Sequence, residues 1–271
     1  MSALEKDAPE GNVDPDPEFV LEAVDVRKAF GGVRALAGMS LAVRRGSITG
    51  LIGPNGAGKS TLFDVITGVL PADGGRVLLF GEEATGSKPH ALARKGLVRT
   101  FQLARELGRL TVLENLMLAP LGQTGERLLS VFAAPGRVRR QEREIYARAL
   151  DVMAYAKLSP VRDEYAQDLS GGQKKLLELA RALMIDSAVI LLDEPGAGVN
   201  PALMNTLVEM IGRLNAERGK TFLIIEHDMD LVARLCDPVV VMTEGRQLVE
   251  GPFDEVRRDP RVIEAYLGGA A

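Results

Sequence analysis

Residues 53 to 61 place three glycines before one lysine and two hydroxyl residues, in the order Gly-Pro-Asn-Gly-Ala-Gly-Lys-Ser-Thr. The apolar segment 48–52 precedes the run and a helix-compatible segment follows it, which is the context of a phosphate-binding P-loop. Backbone N–H groups of such a loop, together with the positive end of the helix dipole, attract a polyphosphate. We therefore predict nucleotide contacts from Gly53, Pro54, Asn55, Gly56, Ala57, Gly58, Lys59, Ser60 and Thr61. Among these, Lys59 is expected to reach the β- and γ-phosphates and Ser60 to ligate Mg²⁺.

Two acidic residues follow a second apolar segment. Val189 to Leu192 is a continuous apolar run, typical of a strand buried on both faces of a parallel sheet, and it leads into Asp193, Glu194 and Pro195. Ligands of open α/β sheets bind at the carboxyl ends of the strands, so both acids are expected near the phosphates. Asp193 is predicted to hold Mg²⁺, through water, and Glu194 to polarise the attacking water as general base.

A third segment, Leu169-Ser170-Gly171-Gly172-Gln173, precedes apolar residues at helical spacing up to Met184. Ser170 is predicted to cap that helix, whose N-terminus then forms a second anion-binding site together with Gly171, Gly172 and Gln173. The chain thus has two phosphate-binding segments but one P-loop lysine. The simplest arrangement is a head-to-tail dimer in which each such segment completes the ATP site of the other chain.

These segments resemble the ATP-binding subunit of ABC transporters, and the resemblance runs from about residue 19 to 268. Residues 53–61 are similar to its Walker A loop, 189–194 to its Walker B strand and 169–173 to its signature. Gln102 resembles the glutamine of the Q-loop, which implies contact with the metal and the γ-phosphate and a position facing the membrane subunits. His227 resembles the switch histidine, which implies contact with the γ-phosphate, and Ser170 would contact it across the dimer.

Further segments resemble the branched-chain amino-acid importer branch: 99–102, 111–116, 196–201, 225–229 and the ending 262–268. That ending is also similar to the ATPase of lipopolysaccharide export. Asn200 departs from the wider family, which has aspartate there, so a role that needs a carboxylate is in doubt. Phe30 resembles the aromatic residue that stacks on adenine, although a phenylalanine is more often a core residue; stacking on a base contributes about 1–3 kcal/mol.

The composition excludes several classes of protein. A net charge of −4 and a pI near 5.5 argue against a nucleic-acid surface. The single cysteine, Cys236, excludes a disulfide framework and is expected to be buried, in a protein of the reducing cytosol. No apolar run is long enough to span a membrane, and the first residues are unlike a signal peptide. Membrane transport would therefore require separate permease subunits on whose cytoplasmic face this chain is peripheral.

The predicted fold is an α/β P-loop NTPase of the ABC type, with a mostly parallel helix-flanked sheet, an antiparallel β layer and a helical subdomain. The domain boundaries are expected to be a disordered tail (1–18), the β layer and Walker A part (19–88), the helical subdomain (89–167), the part with the signature, Walker B and the switch (168–251), and a C-terminal helical segment (252–271). The arginines between 127 and 148 are interpreted as a solvated helix face, with contact to anionic lipid as the alternative.

The leading hypothesis is an ATPase that powers import of branched-chain or similar small amino acids, served indirectly by an extracytoplasmic binding protein. The ATPase partner in the dimer is either a second copy or a related chain. The alternatives are urea or amide import, lipopolysaccharide export and, from another class, a soluble ATP-gated interaction protein. Proteins of that last class usually have two cassettes or a long coiled coil, and the sequence has neither.

Overall fold

A computed structural model of the protein describes residues 18–100, 107–126 and 132–267. Within these ranges the strands are β1 (Phe19–Phe30), β2 (Val33–Arg44), β3 (Ile48–Ile52), β4 (Gly74–Leu79), β5 (Glu82–Glu83), β6 (Leu97–Arg99), β7 (Val189–Asp193), β8 (Thr221–Ile225), β9 (Val239–Thr243) and β10 (Arg246–Gly251). The helices are α1 (Lys59–Ile66), α2 (Pro89–Arg94), α3 (Val112–Met117), α4 (Pro135–Tyr155), α5 (Gly171–Met184), α6 (Pro201–Arg218), α7 (Met229–Leu235), α8 (Phe253–Val256) and α9 (Pro260–Leu267). The α/β architecture predicted from the sequence is confirmed.

The main sheet has six strands in the order β10-β9-β3-β8-β7-β6. Its strands run parallel except β10, which pairs with β9 in the antiparallel sense. The register places Leu51 of β3 opposite Ile225 of β8, and Ile225 opposite Asp193 of β7. The P-loop, the acidic pair and the segment of His227 therefore all begin at one edge of the sheet, which we call the carboxyl edge.

The second sheet is the antiparallel β layer, in the order β2-β1-β4-β5. The turn between β9 and β10 connects this layer to the P-loop, because the Gly245 N–H donates to the carbonyl of Ala57 and the Gly245 carbonyl accepts from the Ala37 N–H of β2. The predicted antiparallel layer beside the P-loop is thus confirmed. Strands β1 and β2 both continue to the Gly31-Gly32 turn, which joins them as a hairpin.

The main sheet is buried on both of its faces, and alternate residues of a strand pack into different cores. Leu223 and Ile225 of β8 belong to the core beneath the β layer, which also contains Phe63 of α1. Phe222 and Ile224 belong to the core beneath the helices. Burial on two faces explains why these strands are continuous apolar runs with no polar alternation.

The helical side is built on α4, whose buried residues recur at helical spacing and pack against α3 and α5. Helix α4 begins at Pro135. Proline is favoured in a first helical turn, where its missing N–H has no intrahelical acceptor to serve. The arginines of α4 are exposed, as predicted for a solvated face: Arg137, Arg139, Arg140, Arg143 and Arg148. Arg127 lies outside the described residues.

The C-terminal segment forms two helices, α8 and α9, with Pro260 at the start of the second. None of the helices in the described part of the chain is both long and apolar enough to span a bilayer. The predicted disordered tail lies outside the described residues, apart from Glu18.

Candidate nucleotide-binding and hydrolytic site

The P-loop connects β3 to α1 and depends on glycine at positions where the backbone is left-handed and crowded. Gly53 has a φ of 151°, and a Cβ there would overlap the carbonyl oxygen of Met242. Gly58 has a φ of 102°, and a Cβ there would overlap the carbonyl oxygen of Ala35. The outer part of the loop is open, since Asn55, Gly56 and Ser60 are exposed. The sequence therefore folds into a loop fixed at its base and accessible at its tip.

Lys59 lies within this loop, where its ammonium donates hydrogen bonds to the carbonyls of Gly53 (2.8 Å) and Pro54 (3.0 Å). Burial lowers the pKa of the Lys59 ammonium, and the negative charges of Glu194 and Asp193 partly oppose that shift. The two acidic side chains are thus close enough to act on Lys59 electrostatically. The structure brings together the lysine and both acids, which lie about 135 residues apart in sequence.

Glu194 and His227 face each other at the carboxyl edge, with His227 Nε2 3.1 Å from Glu194 Oε1. Both side chains are partly exposed, so a water molecule has access to them. The Glu194 backbone is left-handed (φ 48°), and its N–H donates to the Ile225 carbonyl. A non-glycine residue in this conformation is uncommon, and such conformations often occur at functional sites.

Asp193 is paired with Arg99, a contact that the sequence analysis did not anticipate. Arg99 Nη2 lies 2.7 Å from Asp193 Oδ2, and Arg99 Nη1 lies 2.5 Å from Asp64 Oδ1 of α1. The Arg99 side chain is 8% exposed and lies over the ring of Phe63. The end of β6 is therefore connected by a buried ion triad to both the Walker B strand and the helix that follows the P-loop.

Glu226 is a second residue to which the sequence analysis gave no role. It follows β8 and is 3% exposed, and its carboxylate accepts three backbone hydrogen bonds. Oε1 accepts from the Gly196 N–H (2.6 Å), and Oε2 accepts from the N–H groups of His227 (2.9 Å) and Asp228 (3.2 Å). A glutamate directly after an apolar strand is a sequence signal for such a buried acceptor, but its partners become visible only in the fold.

The signature segment forms a capped helix start, as predicted. The Ser170 hydroxyl accepts from the Gln173 N–H, and the Gln173 side chain accepts from the Ser170 N–H. Ser170 and Gly171 are exposed. Gly172 is packed so closely on Leu203 of α6 that a Cβ there would overlap the Leu203 side chain. Within its own chain the signature lies against the loop 196–200 and the start of α6.

Asn200 caps α6, since its Oδ1 accepts from the Leu203 N–H (3.0 Å). Asparagine and aspartate are about equally good N-caps, so the departure from the family pattern leaves this local role intact. Phe30 is 47% exposed at the tip of the β1–β2 hairpin, with the Lys28 ammonium 5.7 Å from its ring centroid. Gln102 lies outside the described residues, although Arg99 and Thr100 before it are described.

One residue outside this site agrees with its predicted character. Cys236 is 5% exposed, and burial raises the pKa of its thiol to about 12, with the charge of Glu226 adding to the shift. A thiol of such high pKa is a weak nucleophile at neutral pH, as expected of a structural cysteine. His90 is exposed. Among the described residues, no group of three or more His, Cys, Asp and Glu side chains is arranged to hold a metal ion.

Comparison with known proteins identifies the family. The ABC transporter family matches residues 36–197, a range that contains the P-loop, the signature and the Walker B strand. A second family, the branched-chain amino acid ATP-binding cassette transporter, matches residues 246–271. A probable branched-chain amino acid transport ATP-binding protein LivG of Archaeoglobus fulgidus is 42% identical over 92% of this chain and 95% of its own. The high-affinity branched-chain amino acid transport ATP-binding protein BraF of Pseudomonas aeruginosa is 39% identical. The match covers 93% of this chain and 98% of BraF.

Solved structures agree with this assignment. An ATP-binding cassette of an ABC transporter in its ADP conformation is 41% identical, with a TM-score of 0.79 over 92% of this chain and 99% of that one. A nucleotide-free ATP-binding cassette from an ABC transporter is 40% identical, with a TM-score of 0.78. The match covers 91% of this chain and 98% of that one. The resemblance and the fold predicted from the sequence are both confirmed. The chain belongs to the ABC transporter family, as an ATP-binding, ATP-hydrolysing subunit.

Proposed function

We propose that this ATPase powers import of branched-chain or similar small amino acids through separate permease subunits. The observation that carries the ATPase chemistry is the convergence of Lys59, Asp193, Glu194 and His227 at the carboxyl edge. The cargo assignment rests on relatives named for branched-chain amino acid transport and on the family match at the C-terminus. These relatives favour amino-acid import over urea import, lipopolysaccharide export and a soluble interaction protein.

The residues of the site have complementary tasks in hydrolysis. We expect phosphate oxygens to replace the carbonyls of Gly53 and Pro54 as acceptors for Lys59, because a charged acceptor forms the stronger hydrogen bond. Glu194 accepts the proton of the attacking water, and His227, 3.1 Å away, orients Glu194 and contacts the γ-phosphate. Phe30 stacks on adenine from the exposed hairpin tip, and the remaining loop residues bind phosphate through backbone N–H groups.

The donor set fits Mg²⁺. Ser60 offers a hydroxyl at the start of α1 and Asp193 a carboxylate, and oxygen ligands of this kind are those that Mg²⁺ prefers. Arg99 contacts Asp193 through Oδ2, and the same carboxylate would hold the ion through water. Gln102 is proposed as a third metal contact. When bound, the ion neutralises charge on the β- and γ-phosphates.

The signature segment is proposed to act on the ATP site of a second chain. Its capped helix start is exposed at Ser170 and Gly171, next to the loop 196–200. Ser170, Gly171, Gly172 and Gln173 would there face the γ-phosphate bound by the partner's P-loop, in a dimer of two copies or of this chain with a related ATPase. The physical basis for this assignment is that the backbone N–H groups and the dipole at a helix N-terminus attract anions.

The permease is proposed to bind at the helical side, between residues 89 and 167, with the chain peripheral to the cytoplasmic face of the membrane. Large apolar side chains are exposed there in positions that a partner could cover: Leu107, Leu118, Leu121, Phe132 and Tyr165. Large apolar side chains at the surface are candidates for burial by a protein partner. The extracytoplasmic binding protein would act through the permease. We also propose that the chain is divided into the five domain ranges predicted from the sequence.

Hydrolysis is tested with Glu194→Gln, which keeps the size of the side chain but removes the proton acceptor. ATPase turnover should fall by about 10²–10⁴ while ATP binding is retained and closed dimers accumulate in sedimentation with MgATP. Glu144→Gln is the control, because Glu144 is an exposed acid of α4 in a surface pair with Arg140. Normal turnover in Glu194→Gln would remove Glu194 from the mechanism.

The trans arrangement is tested by mixing two inactive variants. Ser170→Arg blocks the signature and Lys59→Ala removes the phosphate contact, so a mixed dimer keeps one intact composite site. Returned ATPase activity supports the proposal. Absence of activity in mixtures shown to contain mixed dimers would refute a single functional trans site.

The cargo is tested by deleting the gene and measuring uptake of radiolabelled leucine, isoleucine, valine and urea. We expect amino-acid uptake to fall and urea uptake to remain. Loss of urea uptake alone would overturn the cargo assignment and leave the ATPase assignment intact.

A further inference from the structure

The carboxylate of Glu226 joins two loops that otherwise leave the main sheet separately. One loop follows β8 and carries His227, and the other follows β7 and runs from Gly196 to Asn200. Oε2 accepts from the N–H groups of His227 and Asp228, whereas Oε1 accepts from the N–H of Gly196, 30 positions away in sequence. A single buried side chain thus sets the distance between the two loops.

The surroundings of Gly196 are fitted to this carboxylate. A Cβ at Gly196 would lie 2.8 Å from Glu226 Oε1 and 2.8 Å from the terminal methyl of Met204. A larger residue would require the Glu226 carboxylate and the Met204 methyl to shift, so glycine at this position allows the close contact. The contact extends further, because Gly198 of the same loop lies beside Gly171, and Leu203, just after the loop, packs on Gly172.

We propose that Glu226 is a positioning residue that holds His227 in register with the loop 196–200, and through that loop with the signature segment. This inference rests on the proposed role of His227 in hydrolysis. Displacing the loop 196–200 would move the backbone of His227 through the shared carboxylate, and with it the His227–Glu194 contact of 3.1 Å. A displacement of the signature segment would in this way change the position of the Glu194–His227 pair in the same chain.

The chemistry of three N–H donors explains why a carboxylate is needed. Both of its oxygens accept hydrogen bonds, whereas a glutamine side chain has one accepting oxygen and one NH₂ group. In Glu226→Gln the NH₂ group must face either the Gly196 N–H or the N–H groups of His227 and Asp228. The link between the loops is broken on one side, although the volume and the polarity of the side chain are kept.

The experiment compares Glu226→Gln with Asp228→Asn. Asp228 is a matched control because its Oδ1 accepts two backbone N–H groups in the same segment, but both belong to its own helix α7. We expect kcat for ATP hydrolysis to fall about 10–100-fold in Glu226→Gln, with the KM for ATP changed less than threefold, since misplacement of about 1 Å costs up to 10²-fold. Asp228→Asn should retain kcat within about threefold.

A double-mutant cycle distinguishes positioning from general structural support. If Glu226 acts through His227, Glu226→Gln should cause no further loss of kcat in a His227→Ala background. Independent, multiplied losses would overturn the inference and leave the role of His227 intact. Full activity of His227→Ala alone would instead refute the proposed function of that residue. Should Glu226→Gln fail to fold, Gly196→Ala tests the same contact from the other loop, and an unchanged kcat in that variant would also overturn the inference.

Discussion

Removing the charge of Arg99 should destabilise the protein by an amount set by the ion triad it forms. Arg99→Met keeps an apolar side chain over the Phe63 ring and removes the guanidinium from Asp193 and Asp64. Breaking a fully buried ion pair by deleting one partner costs about 3–5 kcal/mol. Asp193 is 17% exposed and Asp64 30%, so water compensates part of the loss and we expect about 2–3 kcal/mol.

For a chain of this size that destabilisation corresponds to a fall in Tm of about 4–12 °C. Circular dichroism during thermal denaturation at neutral pH measures it. Asp64→Asn should cost less, about 1 kcal/mol, because Arg99 then keeps Asp193 as its partner.

Arg140→Met is the matched control for this prediction. Arg140 forms an exposed pair with Glu144 four residues later, and such pairs contribute about 0.3–0.5 kcal/mol. If Arg99→Met and Arg140→Met lowered Tm equally, the triad would contribute no more than a surface pair, and the reasoning from burial would be refuted.

Three further outcomes are expected. Gly53→Ala should be strongly destabilised, because φ is 151° and the new Cβ meets the Met242 carbonyl, whereas Gly56→Ala, with open space around it, should lose only about 1 kcal/mol; chemical denaturation compares them. Lys59→Ala should lose high-affinity MgATP binding in equilibrium titration, and a change within about twofold, near 0.4 kcal/mol, would contradict its role. The pKa of the Cys236 thiol is raised to about 12, so its contribution to stability should be constant below about pH 8.5 and lost between there and pH 12. Alkylation by iodoacetamide at pH 8 should accordingly be much slower in the folded than in the unfolded protein, and equal rates would show that the thiol is accessible.

The parts of the fold that the sequence predicted well are those determined locally. The apolar runs of β7 and β8, the P-loop and the Ser170 cap each have a signal within a few consecutive residues. β6 was missed because it has only three residues, too few for a periodic pattern, and is identified by its pairing with β7. Burial was predicted where an apolar run signals it, as in β7, but the burial of Arg99 and Glu226 depends on what packs alongside them.

The same distinction applies to the site. Lys59, Asp193 and His227 belong to recognisable motifs, and the fold brings Lys59 and Asp193 into electrostatic contact. Arg99 pairs with Asp193, 94 positions away, and Glu226 accepts from Gly196, 30 positions away. No local sequence pattern specifies such pairings. The roles of Arg99 and Glu226 could therefore be inferred only after the strands had been placed in register.

The division of the main sheet between two cores has a mechanical consequence. Leu223 and Ile224 are adjacent in β8, but one packs beneath the β layer and the other beneath the helices. Close-packed interiors resist continuous deformation, so a rearrangement of the helices can proceed on one face while side chains on the opposite face keep their contacts. We expect the β layer and the base of the P-loop to keep their contacts while the helices on the opposite face rearrange, so that Lys59 stays in place at the start of α1.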